Sequence, residues 1–142
     1  MEIVKLNLTH IDKIENLLKE QFHSEAWNKE QILSSLKSKS THFYGIFDGE
    51  KLICVASILE TIDDINLLDI ATSEGYKRKG YAKHLLTYLI TLKKEEQTFT
   101  LEVKSKNIPA INLYKQLGFQ TFHIRKRYYK DGDDALCEKL PL

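Results

Sequence analysis

Cysteine is scarce: Cys54 and Cys137 are the only two and lie far apart in the chain. Neither a disulfide framework nor a paired metal knuckle can be built from them. Proline occurs twice and glycine six times, and no Ser/Gly/Pro-rich linker, repeat or low-complexity tract divides the sequence. Charge of one sign is not in excess, because 21 Lys and Arg face 20 Asp and Glu. That balance argues against a protein held on nucleic acid by counterion release. No stretch approaches the ~18 consecutive apolar residues of a membrane span. The opening MEIVKLNLTH lacks a basic segment followed by an apolar core, so it does not read as a signal peptide. His10, His23, His42, His84 and His123 show no metal-ligand spacing. What remains is 142 residues, 42% hydrophobic and 29% charged, a globular composition close to the ~150 residues of one domain. A chain of this length buries a sufficient core without staples. The expectation is one soluble, cytoplasmic domain over residues 1–142, with no metal, membrane or direct nucleic-acid partner.

Hydrophobic periodicity divides the chain further. Ile3 to Leu6 reads as a short strand ending at Thr9, a helix N-cap candidate. Ile11, Ile14, Leu17 and Leu18 then recur at helical spacing. A second helix follows Asn28, with Ile32, Leu33 and Leu36 on one face. Phe43 to Ile62 reads as a hairpin about Asp48-Gly49, a strong tight-turn dipeptide. After a turn at Asp63-Asp64, Ile65 to Ala71 forms another strand. Gly80 to Leu92 is helical, with Leu85, Leu86, Leu89 and Ile90 as its buried stripe. Thr98 to Val103 alternates with period two, and a helix runs from Asn107 to Leu117, with Pro109 in its first turn and Gly118 past its end. Two last strands lie around Phe119–Tyr128 and Ala135–Leu140. The order β-α-α-β-β-β-α-β-α-β-β describes a mixed α/β domain with one strand–helix–strand crossover at its centre.

Between that central strand and its helix lies Tyr76-Lys77-Arg78-Lys79-Gly80-Tyr81-Ala82. A helix start offers unpaired N–H groups and the positive end of the dipole, and so attracts anions. Gly80 permits close backbone approach, Ala82 keeps the first turn slim, and three cations crowd the rim. Pyrophosphate is the natural guest; a solvated basic turn is the plainer reading of these letters.

Lys77-Arg78-Lys79-Gly80-Tyr81-Ala82 resembles the [Gln/Arg]-x-x-Gly-x-[Gly/Ala] acetyl-CoA motif of the GCN5-related N-acetyltransferases, with Lys where Gln or Arg is usual. Leu101-Glu102-Val103, Asn107-Ile108-Pro109-Ala110 and Leu113-Tyr114-Lys115-Gln116-Leu117-Gly118-Phe119 are similar to the "LEV…N..A..LY...GF" run of the same superfamily. Arg125 to Tyr129, Asp131 to Ala135, the closing Leu140-Pro141 and Ser24-Glu25-Ala26-Trp27 resemble one subfamily. Its RimI-type members acetylate the N-terminal alanine of bacterial ribosomal protein S18. The resemblance implies a mixed sheet of about seven strands with about four helices, its central strands splayed to bind CoA. It places the pyrophosphate over Arg78, Lys79, Gly80, Tyr81, Ala82 and Lys83. The thioester and pantetheine would lie on backbone amides of a bulged Ile70-Ala71-Thr72. Asn107 would hold the same arm, although a helix-cap asparagine reads identically.

Acetyl transfer to an amine needs a neutral nucleophile, a stabilised oxyanion and a proton for the departing thiolate. On the alternating strand Glu102 points away from the Phe99, Leu101 and Val103 face, near the strand's C-terminal end where open α/β sheets bind ligands. A solvent-facing strand glutamate reads the same way; the resemblance makes it the general base, acting through water. Tyr114 is an amphipathic core tyrosine by its helix, and by resemblance the general acid, its phenol near pKa ~10 protonating the thiolate. Trp27, Tyr128 and Tyr129 are aromatic candidates for walls of a peptide site, or for ordinary packing. A peptide α-amine with pKa ~8 is neutral several hundred times more often than a lysine amine with ~10.4, so one base acting through water suffices for it. The expected partner is the N-terminal peptide of a ribosomal protein, S18. The alternatives are a small amine such as a polyamine or aminoglycoside, or a catalytically silent CoA-binding module.

Overall fold

The computed structural model describes residues 1–141. Its seven strands are β1 (Ile3–Lys5), β2 (Thr41–Asp48), β3 (Lys51–Glu60), β4 (Asp64–Thr72), β5 (Thr98–Lys104), β6 (Gln120–Arg125) and β7 (Ala135–Lys139). Four helices, α1 (Ile11–Phe22), α2 (Lys29–Lys37), α3 (Tyr81–Thr91) and α4 (Ile108–Gln116), complete the chain. The strands form one sheet in the order β1-β2-β3-β4-β5-β7-β6. The α/β expectation of seven strands and four helices holds, and every element sits within a few residues of its sequence signal.

Two local readings are corrected. Asn7, not Thr9, caps the start of the helical region: its Oδ1 accepts from Thr9 N at 2.9 Å, and one 3₁₀ turn over Leu8–His10 precedes α1. An asparagine oxygen reaches the free N–H groups as readily as threonine does, so two capping residues two positions apart compete and the earlier one wins. The hairpin loop is Gly49-Glu50, because Asp48 already pairs with Lys51. Asn28 and Asn107 cap α2 and α4 as expected.

Amphipathic patterning sets two layers. On one face of the sheet α1 and α2 bury Ile14, Leu17, Leu18 and Ile32 against Phe43, Val55 and Ala71. On the other, Leu85, Leu86 and Leu89 of α3 and Tyr114 of α4 pack on Ile46, Ile58, Leu67, Phe99 and Leu101. Full burial of each such leucine contributes roughly 1.5–3 kcal/mol. The α3 stripe therefore fixes that helix across the β4–β5 crossover.

β4 and β5 are the one parallel pair, and they bond over only Asp64↔Thr98 to Leu67↔Leu101. This closed end is pinned by side chains: Asn66 Nδ2 donates to Thr100 Oγ1 at 2.9 Å, and Thr100 Oγ1 donates to the Asp64 carboxylate at 3.1 Å. Beyond it the strands part, β5 continuing beside β7 to Lys104 and β4 beside β3 to Thr72. On β4 the register slips, with Ser57 opposite Asp69 and Ile58 opposite Leu67. Leu68 is the extra residue of a β-bulge, and a bulge bends and twists its strand away. The bulge expected at Ile70-Ala71-Thr72 is not there: those residues pair in regular register with Ala56, Val55 and Cys54, and the extra residue lies earlier, at Leu68.

Gly45 on β2 is closely packed by its neighbours. A Cβ there would lie 2.6 Å from Leu52 Cδ1 and 3.2 Å from the Cys54 carbonyl. Gly45→Ala is expected to lower unfolding stability by ~1–3 kcal/mol through overpacking. Gly75→Ala, with nothing within 4 Å, serves as the control and changes it little. Urea denaturation of both variants checks this; equal stabilities would refute the close packing.

Candidate active site

Two cavities open where β4 leaves β5. The first, about 460 Å³, is lined by Asp69 and Ile70 of β4, Glu102 to Lys104 of β5, Asn107, Tyr114 and Tyr129, with Glu25, Ala26 and Trp27 closing it from the α1–α2 connection. The second, about 1120 Å³, runs from Ile70-Ala71-Thr72 past Tyr76, Lys77 and Arg78 to Gly80–Lys83, walled by Asn107 to Tyr114 of α4. Ile70, Asn107 and Tyr114 border both. Tyr114 therefore stands at the junction, and one molecule in each cavity would meet beside its ring.

The long cleft has the features of an anion and amide site. Gly80 caps α3 in the left-handed region, φ +85°, with no side-chain cap bond. Arg78 is also left-handed, φ +63°, a conformation uncommon outside glycine. His84 N takes the Gly80 carbonyl at 2.9 Å, so the N–H groups of Tyr81, Ala82 and Lys83 precede the first helical bond and are free for an anion. The loop leading there is clamped at both ends. Glu20 of α1 accepts from Ser73 Oγ at 3.2 Å and Glu74 N at 2.9 Å, and Tyr76 O–H donates to Asp48 at 2.6 Å. Of the basic rim, Lys77 pairs with Glu74 at 3.0 Å. Lys79 turns its ammonium over the Tyr76 ring, 5.8 Å from its centre, and does not line the cleft. Arg78 and Lys83 do. Along β4, the backbone beyond Leu67 has no strand partner on its β5 side, and those groups must be satisfied by something other than the sheet.

In the smaller cavity Glu102 lies on the exposed face of β5, opposite buried Leu101 and Val103. Its Oε2 accepts from Arg125 Nε of β6 at 2.8 Å and from Cys137 Sγ of β7 at 3.5 Å. These neighbours fix where the carboxylate points. No local sequence signal points to this pairing, because Arg125 and Cys137 reach Glu102 only through the β5-β7-β6 order. Tyr114 is buried, and burial pushes its phenol well above the usual tyrosine range. The hydroxyl therefore stays protonated at working pH, and it has no hydrogen-bond partner among the described residues.

Tyr129 lines the cavity, held by a network below it. Asp133 accepts from Lys106 N at 3.2 Å and from Ser105 Oγ, Lys104 bridges to Asp131 at 2.8 Å, and the Lys104 ammonium sits 5.1 Å from the Tyr129 ring centre. Burial first, and the Glu102 charge second, push the Tyr129 phenol up to about 12. Trp27 also lines this cavity and meets Phe43 edge-on at 6.3 Å. Tyr128 does not line it: 52% exposed, it lies outside both cavities beneath the Arg125 guanidinium. The Tyr128 ring meets the Tyr129 ring edge-on, centroids 5.2 Å apart, yet only Tyr129 lines the cavity. Asp69 was missed by sequence reasoning, although a lone carboxylate within an apolar strand was a signal. Among the described residues no cluster of His, Cys, Asp or Glu can hold a metal ion, and no helix is long and apolar enough to cross a membrane.

The chain is similar in sequence and fold to known proteins. The chain is 31% identical over 130 residues to the ribosomal protein bS18-alanine N-acetyltransferase of Escherichia coli strain K12, covering 88% of this chain and 87% of that protein. It is 41% identical over 81 residues to an N-alpha-acetyltransferase of Sulfurisphaera tokodaii, covering 54% of this chain and 48% of that one. The crystal structure of the Escherichia coli S18-alanine N-acetyltransferase superposes with a TM-score of 0.89 at 29% identity, over 99% of this chain and 92% of that one. Residues 11–119 match the acetyltransferase (GNAT) family, and the chain belongs to it.

Proposed function

We propose that this enzyme transfers the acetyl group of acetyl-CoA to the N-terminal α-amine of a protein, with the alanine end of ribosomal protein S18 as acceptor. The observation that carries this reading is the junction at Tyr114: an anion-binding cleft and a short, carboxylate-bearing cavity meet at one proton donor. When bound, acetyl-CoA supplies a thioester carbon for the amine to attack. The free N–H groups of Tyr81, Ala82 and Lys83, with Arg78, hold the pyrophosphate, and the unpartnered β4 backbone at Ile70-Ala71-Thr72 orients the pantetheine and meets the oxyanion. Asn107 borders both cavities and steadies the same arm. Glu102, oriented by Arg125, receives the α-ammonium and takes its proton through water. Tyr114 gives its proton to the sulfur as the carbon–sulfur bond breaks, and is rearmed by the proton the nitrogen sheds. Tyr129 and Trp27 wall the acceptor cavity, which suits a short extended terminus.

The direct test is incubation with acetyl-CoA and a panel: an alanine-ended peptide, the same peptide blocked and carrying lysine, and polyamines. Acetylation of the free α-amine alone is expected; preference for a polyamine would replace this reading by the small-amine one.

Gly80→Glu forces a side chain into the left-handed region, which costs ~1–2 kcal/mol, and sets a carboxylate against the free N–H groups. CoA affinity by calorimetry should fall by ~10-fold or more, or ≥1.4 kcal/mol; unchanged affinity in the folded variant would remove the pyrophosphate from this turn.

Glu102→Gln should leave CoA binding intact and slow transfer ~10²-fold or more, most below pH 8 where the α-amine is charged. A loss of only a few-fold at every pH would leave Glu102 a structural residue.

Tyr114→Phe keeps ring and packing and should lower kcat far more than KM, because charge on sulfur develops only along the reaction path. Raised KM for acetyl-CoA at unchanged kcat would make Tyr114 a packing residue.

A further inference from the structure

The bulge at Leu68 decides where Asp69 points. On an unbroken β4, Asp69 would share the face of Ile65 and Leu67, which pack into the α3–α4 core. One extra residue reverses the parity, as any one-residue slip does. Ala71, two residues on, indeed packs on the α1–α2 side. Asp69 accordingly lines the acceptor cavity together with Glu102. Unlike Glu102, it has no ion pair or hydrogen bond among the described residues. Opposite it on β3 stands Ser57, 1% exposed, whose Oγ is buried without a partner.

Resting on the N-terminal acetyltransferase reading, we propose that Asp69 is a second proton acceptor of the acceptor cavity, sharing with the Arg125-held Glu102 the removal of the α-ammonium proton through water. The proton balance is simple. R–NH₃⁺ gives one proton to the Asp69 carboxylate, which later releases it to solvent. The neutral amine forms the carbon–nitrogen bond, the carbon–sulfur bond breaks, and the remaining ammonium proton is matched by the one Tyr114 gives to sulfur.

The environment of Asp69 supports this part for it. Desolvation alone pushes Asp69 up to about 6, close to the pH at which an enzyme needs its base. Relative to an ordinary carboxylate near 4, it is ~100-fold better matched to an α-ammonium of pKa ~8. The other groups around it are few. β5 presents Glu102 and Lys104, α4 presents Tyr114, the β6–β7 loop Tyr129, and the α1–α2 connection Glu25. From α1, Gln21 and Phe22 face the cavity while Glu20 is turned to Ser73 and Glu74. β3 offers only Ser57 there, and α3 lies on the other face of the sheet.

Asp69→Asn conserves shape and tests the idea through pH. With acetyl-CoA and an alanine-ended peptide, kcat/KM of the variant should fall ~10-fold or more at pH 6.5. The deficit should close above pH 8.5, where the amine arrives neutral, with CoA affinity unchanged. A deficit constant across pH, or below about three-fold at pH 6.5, would overturn the proposal. Stability gives a second reading that needs no substrate. A carboxyl whose folded pKa is raised binds more protons folded than unfolded between pH 4 and 6, so it costs stability above that window. The variant should therefore melt above wild type at pH 8, with the gap vanishing as pH falls from 6 to 4. No gap at pH 8 would show that Asp69 is well solvated and would equally overturn the idea. If wild type acetylates no α-amine, the parent reading fails on that observation alone, and the melting curves still report on Asp69.

Discussion

Past Leu67 and Leu101 the two central strands have no hydrogen bonds to each other, and a sheet does not leave inner backbone unpaired without a reason. The Asn66–Thr100–Asp64 chain holds one end of the gap shut while the Leu68 bulge turns β4 outward at the other. The residues proposed for the chemistry border the resulting wedge. Its β4 side presents free amides, its β5 side presents Glu102, and Tyr114 of α4 fills the point where the sides diverge. The core beneath is conventional, and its work is to keep α3 and α4 from closing the wedge. Burial of Leu85, Leu86 and Leu89 fixes the α3 start, and with it the uncapped N–H groups at Gly80.

Two carboxylates in one cavity do not have equal standing. Glu102 is tied to an arginine and a thiol and is exposed on its strand; Asp69 is desolvated and untied. An ion-paired carboxylate is fixed in place and suited to positioning a cation, whereas a desolvated one is suited to accepting a proton. The phenols around them, Tyr114 and Tyr129, are both pushed up by burial and remain hydrogen-bond donors throughout. In the mechanism proposed, both carboxylates accept a proton, Glu102 from a fixed position and Asp69 from a desolvated one, while Tyr114 donates.

Much of this was legible in the letters because it depends on local periodicity. The Leu85/Leu86/Leu89 stripe, the alternation of Thr98 to Val103, and the Asn107-Pro109-Gly118 frame of α4 each encode their element without reference to the rest of the chain. Helix and strand periods say which way Tyr114 and Glu102 face, but it was the resemblance that singled them out. What stayed hidden depends on pairing. The bulge at Leu68 is a register property of β3 against β4, so the orientation of Asp69 could not be read from alternation, which places it on the wrong face. Arg125 reaches Glu102 only because β7 inserts between β5 and β6. Lys79 and Tyr128 look functional by neighbourhood, yet one side chain is taken by a ring and the other falls past a strand end. Thr9 lost its capping role to Asn7, two residues away, a choice that local sequence leaves nearly balanced.

The most direct measurement is a crystal structure of the enzyme with a conjugate joining CoA to the amine of an alanine-ended peptide. The expected result places the pyrophosphate on Tyr81–Lys83, the pantetheine along Ile70–Thr72, the junction sulfur beside Tyr114 O–H, and the peptide in the cavity of Asp69, Glu102 and Tyr129. A conjugate whose peptide half left by another route, with that cavity empty and Tyr114 remote from the sulfur, would contradict it.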